Sequence, residues 1–250
     1  MSNKKRYEYY NDAEKMADDY LKEHFDIKNI SFPINPFKLL ADEGVIFAIT
    51  NLKIDGFYKS AENKDDVPLV GIKKDVRIIR QRYTAAHELC HHLKDNKKEI
   101  ACAPNSKDEV EIFAEDFAAA LLMPVRELEK QVNRCKSNYG KVDFDSIVII
   151  AEYFGVSFLS CAVRIFTLFN CIEGCCDIKT LLYCAKKYSS DDRRKEIEHS
   201  YVKLYDQLFD CYENQLRPSN RDFAKNIFQN TFIMTLGWKE LNYQRKKLVI

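Results

Sequence analysis

The sequence predicts an α+β fold that is mostly helical, with a small three-stranded sheet and a helical C-terminal portion. Two observations carry this. Between residues 45 and 73, short β-branched or aromatic runs alternate with turn residues. From about Arg77 almost to the end, apolar residues recur at three- and four-residue steps, the spacing of one helix face. Composition agrees with a packed core: 46% of the 250 residues are hydrophobic and only seven are glycine and six proline, which excludes a disordered chain.

Taken in order, residues 8–24 read as a helix on the spacing of Ala13, Met16, Ala17, Tyr20 and Leu21. Two prolines in Phe32–Pro36 interrupt it, and Phe37–Gly44 is a short helix closed by glycine. Val45–Thr50, Ile54–Lys59 and Leu69–Lys73 are the three strands. Arg80–Leu93 is the next helix, and Lys107–Leu122 follows it, stopped near Pro124. Asp143–Phe154 and Phe158–Phe169 flank a Gly155-Val-Ser turn. Asn170–Cys176 forms a boundary, and Ile178–Lys187, Asp191–Asn214 and Ser219–Leu236 are three more helices. The implied domains are 1–140, a helix-turn-helix-like segment 141–169, and a helical domain 170–250.

Charge and cysteine usage narrow the function classes. Lys plus Arg is 39 against 38 for Asp plus Glu, and residues 191–250 are not a basic tail, so a nucleic-acid partner is disfavoured. Nine cysteines without regular spacing do not make a disulfide scaffold. The first residues, MSNKKRYEYYNDAEK, carry no apolar run behind the basic residues, and no stretch approaches 18 uninterrupted apolar residues. The expectation is a cytoplasmic protein with reduced thiols and no membrane span. Cys171, Cys175, Cys176 and Cys184 lack the spacing of common zinc knuckles, and buried inert thiols are the expected reading.

The strongest local signal is His87-Glu88-Leu89-Cys90-His91. Histidines four apart stand one turn apart on one helix face, so both imidazoles reach a single ion. The intervening glutamate borders that face and reaches a water on the ion. With five histidines in 250 residues, chance supplies only about 0.007 such patterns. A zinc site with catalytic capacity needs a third protein ligand and an open fourth position. The helix over 107–122 offers Glu109, Glu111, Glu115 and Asp116. Glu111 and Glu115 lie one turn apart beside its apolar side, which suits one carboxylate on the metal and another on a histidine Nδ1–H.

The run Gln81-Arg-Tyr-Thr-Ala-Ala-His-Glu-Leu-Cys-His91, followed by Glu111-Ile-Phe-Ala-Glu-Asp-Phe-Ala-Ala-Ala-Leu-Leu-Met-Pro124, resembles the ImmA/IrrE family of metallo-endopeptidases. The likeness extends over about residues 12–169, and residues 170–250 resemble nothing recognised. It implies zincin-type helices beside the small sheet and Zn²⁺ held by His87, His91 and Glu111, with Glu88 as general base. Glu115 stands where the family usually has asparagine, and would act as a supporting carboxylate; Cys90 replaces a family glycine. Tyr58, Tyr83 and Arg164 are the candidates for stabilising the oxyanion, and the sequence does not choose among them. The implied substrate is a specific protein, such as a transcriptional repressor, bound in extended form along a sheet edge.

Two other readings compete. Ala151-Glu-Tyr-Phe-Gly-Val-Ser157 resembles the first helix and turn of a DNA-binding helix-turn-helix, but the helix after it has one arginine and is mostly apolar, where base readout needs polar side chains. A protein-binding module with a non-catalytic metal is the other, against which stands the open coordination position.

Overall fold

The computed structural model describes residues 3–26, 29–61, 66–94, 99–102, 108–189 and 202–215. Residues 191–201 of the expected helix Asp191–Asn214, and all of the expected helix Ser219–Leu236, lie outside these. The α+β class is as expected. In chain order the elements are α1 (Asn3–His24), α2 (Pro36–Asp42), β1 (Ile46–Thr50), β2 (Gly56–Lys59), β3 (Leu69–Lys73), α3 (Ile78–Lys94), β4 (Glu99–Cys102), α4 (Glu109–Leu122), α5 (Val125–Cys135), α6 (Phe144–Phe154), α7 (Phe158–Phe169), α8 (Ile178–Ser189) and α9 (Val202–Gln215). They belong to two compact units, one of Met1–Ile34 with Ala119–Tyr201, the other of Asn35–Ala118 with Val202–Ile250.

In the second unit the sheet has four strands rather than the three expected, in the order β1-β3-β2-β4. β1 runs parallel to β3, while β2 is antiparallel to both β3 and β4. β1 and β3 bury their three central residues and β2 alternates, as strands with covered faces do. Phe57 of β2 stands opposite Gly71 of β3, where a Cβ would lie 2.1 Å from its ring. β4 was not legible because Glu99–Cys102 is four residues with a single β-branched side chain. α3 and α2 pack together and α3 lies on β2 and β3. Gln81 Nε2 donates to the carbonyls of Lys73 and Lys74, both at 3.1 Å, and Arg80 Nη2 donates to Asp55 Oδ2 at 2.6 Å. These bonds pin the helix to the chain on both sides of the β2–β3 hairpin.

α9 completes this unit. Its Leu204, Leu208 and Phe209, at the spacing of one helix face, are buried. Asn35 caps α2 with its side-chain oxygen, taking Phe37 N–H at 3.2 Å and Lys38 N–H at 3.3 Å, and donates from Nδ2 to the Gln207 carbonyl at 3.3 Å.

In the first unit α1 buries Ala13, Ala17, Tyr20 and Leu21. Its Glu14 receives Arg164 of α7 at 2.6 and 3.0 Å, and Arg164 Nε donates to the Met123 carbonyl at 2.9 Å. α5 was not anticipated, although Leu128, Gln131 and Val132 make a buried face at helical spacing just past Pro124. α6 starts on Asp143, whose side chain accepts from Ser146 N–H at 2.7 Å, and ends on Gly155 at φ 63°. Ser157 caps α7, and the two helices turn by 107°. Among the described residues no single helix is long and apolar enough to cross a membrane.

Candidate metal centre

α3 turns an unusually polar face inward: Gln81, Arg82, Thr84, His87, Glu88 and His91 are all buried, among alanines that permit close packing. The sequence reason is the i, i+4 spacing, which brings His87 and His91 edge to face with ring centroids 4.9 Å apart and planes at 72°. Their Nε2 atoms approach to 3.1 Å. Glu111, in the first turn of α4, brings Oε2 to 3.2 Å from His87 Nε2 and Oε1 to 3.3 Å from His91 Nε2. His91 is fully buried, and His87 and Glu111 are each 7% exposed.

This donor set fits a divalent metal. One nitrogen from each imidazole and one carboxylate oxygen lie within 4.8 Å of one another. Ligand atoms bound at ~2.0–2.1 Å in tetrahedral geometry stand about 3.3–3.4 Å apart. The 3.1 to 3.3 Å separations here match that edge. The protonation states suit it too. Burial holds the His87 imidazole below its usual 6.5, which favours the neutral ring. Burial alone would push the Glu111 carboxyl up, but hydrogen bonds from both imidazoles outweigh it and bring it to about 2, so the group is an anion at neutral pH. Neutral imidazoles and an ionised carboxylate are the forms that ligate. Two histidines and one glutamate are the ligand set of thermolysin-type catalytic zinc sites, which leave a position for water.

Glu88 lies fully buried, with its carboxylate against β2 at Gly56. The other expected residues are placed as follows. Glu115 is exposed, and its backbone carbonyl takes a 2.9 Å hydrogen bond from Tyr83 Oη, joining α4 to α3. The Tyr58 hydroxyl, on β2, meets Nδ1 of His92 at 3.1 Å. Arg164 is in the first unit, buried against Glu14. Cys90 is buried on the metal helix. A cavity of about 460 Å³ in the first unit is lined by residues such as Glu14, Phe32 and Arg126 and by none of the metal group. Sequence reasoning missed Gly56; its signal was a glycine inside a strand pattern, the mark of a close approach.

No curated protein matches the chain. The profile of the IrrE N-terminal-like domain, of the M78 peptidases, matches residues 45–166, a span that holds β1 through α6, most of α7 and every member of the metal group. Over residues 45–166 the chain is therefore similar to the IrrE N-terminal-like domain of the M78 peptidases.

Proposed function

We propose that the protein is a zinc-dependent endopeptidase. The observation that carries this reading is the convergence of His87, His91 and Glu111 inside an M78 peptidase domain. His87, His91 and Glu111 would hold the ion, which when bound supplies Lewis acidity toward the scissile carbonyl and lowers the pKa of water toward ~7. Glu88, next to His87 on the same helix, takes the proton of the attacking water and delivers it to the leaving amine. The substrate is a polypeptide in extended form. The β4 edge of the sheet, one strand beyond Gly56, suits it as a template for strand addition. Resemblance to the ImmA/IrrE proteins favours a regulatory protein, such as a transcriptional repressor, as the target. A reducing cytoplasm fits Cys135, Cys161, Cys171, Cys175, Cys176, Cys184 and Cys211, none of which is in a disulfide.

The decisive experiment pairs metal analysis with cleavage of casein and of a quenched peptide library. Wild-type protein should carry about one zinc per chain and cleave. Glu88→Gln should keep the zinc and lose cleavage. Wild-type activity in Glu88→Gln would remove Glu88 as the base, and activity unchanged after chelation would remove the metal.

A further inference from the structure

The residue opposite Glu88 has no side chain, and the reason is spatial. Gly56 opens β2, paired with Ile72 of β3 on one side and Cys102 of β4 on the other. Its backbone is not in the left-handed region; among the described residues the glycines with positive φ are Gly44, Gly140, Gly155 and Gly174. Conformational freedom therefore does not require glycine here. A Cβ at this position would lie 2.5 Å from Glu88 Oε1, 2.5 Å from Thr84 Cγ2 and 3.1 Å from the Gly71 carbonyl oxygen. Thr84 and Glu88 are four apart on α3, so this face of the helix lies directly on the glycine.

We propose that Gly56 is a positioning residue for Glu88: the space left by its missing side chain fixes where the carboxylate stands. This rests on the reading of Glu88 as the general base. The helix itself has little freedom to retreat, because Gln81 and Arg80 tie it to Lys73, Lys74 and Asp55 around the same hairpin. The Glu88 carboxylate is the far end of a flexible side chain, so an added methyl group displaces it before it displaces backbone. The effect of filling the space thus falls on Thr84 and on the base, and at the base a misplacement of ~1 Å costs about 100-fold in rate. Gly71, on the neighbouring strand, provides the contrast. A Cβ there meets the Phe57 ring first, at 2.1 Å, a packing conflict with a rigid group.

The test uses the full zinc-loaded chain with Gly56→Ala and Gly71→Ala, and a stability cycle in which Gly56→Ala is also made with Glu88→Ala. Bound zinc, thermal midpoint, and kcat and KM on a quenched peptide library are measured. Gly56→Ala should keep its zinc, lose about 10- to 100-fold in kcat with KM little changed, and lose less than about 4 °C in midpoint. Gly71→Ala should lose midpoint while its folded fraction keeps wild-type kcat. In the cycle, the midpoint loss caused by Gly56→Ala should shrink once Glu88 is alanine, because the clashing oxygen is gone; the remainder belongs to Thr84 and should fall with Thr84→Ser. Wild-type kcat in Gly56→Ala, or an equal midpoint loss with and without the Glu88 carboxylate, would overturn the proposal. If Glu88→Gln cleaves as well as wild type, the base assignment fails instead, and the stability cycle still decides whether Gly56 and Glu88 compete for the same space.

Discussion

Arg82 of α3 donates a 2.6 Å hydrogen bond from Nη1 to Oε1 of Gln207 on α9. The arginine is fully buried, and Gln207 lies outside the residues that match the peptidase domain. A helix beyond the matched segment thus stabilises the helix that carries both histidines. Replacing Gln207 with alanine withdraws an acceptor from a buried charged group and should cost about 1–3 kcal/mol. Urea unfolding should show this as a lower midpoint with an unchanged slope; unchanged stability would mean that the pair contributes nothing.

The three side chains proposed to hold the metal should not be equivalent to their neighbours. His87→Ala and His91→Ala should abolish stoichiometric zinc, since two remaining ligands hold the ion weakly. Glu111→Gln should leave the fold intact and weaken retention. Glu115→Gln, exposed one turn further along α4, should retain zinc. Metal content after gel filtration against a weak chelator separates these outcomes.

Arg164 and Glu14 test the first unit. The arginine side chain is 3% exposed and the glutamate 17%. Removing one partner of such a pair strands the other, so Arg164→Met or Glu14→Gln should each destabilise by roughly 3 kcal/mol. The double variant should recover part of that loss, which chemical denaturation can resolve.

Glu127 gives a pH dependence away from the metal. Burial would raise its pKa, but Lys130, Gln131 and the Tyr153 hydroxyl bond to the carboxylate and hold it below the usual 4.5. A folded-state value below the unfolded one contributes stability above pH 4.5, lost as pH falls through the folded value. Tyr153→Phe should remove about 1 kcal/mol at neutral pH and flatten this part of the acid limb. An acid limb identical to wild type would refute the assignment.

Thiol reactivity should follow burial. Cys161 is fully buried, and that burial pushes its thiol pKa up, while Cys90 is 1% exposed. Cys176 is exposed. Brief iodoacetamide treatment should label Cys176 first and reach Cys90 and Cys161 only after unfolding, as peptide mass spectrometry would record. Early labelling of Cys90 would show that the metal helix opens readily.

The parts of this structure legible in the sequence are those fixed by local periodicity. β3 falls on Leu69–Lys73 as expected, and α3, α4, α6, α7 and α8 fall within a few residues of their expected ranges. His87 and His91 were legible for the same reason, since four residues on one helix are always neighbours. Glu111 was one of several carboxylates on α4 until the resemblance singled it out. What stayed hidden depends on non-local pairing. β4 has too little β-forming sequence to announce itself and exists because β2 offers an edge. The space at Gly56 is a relation between a strand and a helix 32 residues further on (88 minus 56), and no spacing rule within either element contains it.

The bond between Arg82 and Gln207 joins residues 125 apart in the chain. During translation at about 5–20 residues per second, Gln207 emerges roughly 6–25 s after Arg82. Through that interval Arg82 has been synthesised and the residue that accepts its hydrogen bond has not. The seal over the helix that carries both histidines is therefore set only once residue 207 has been added.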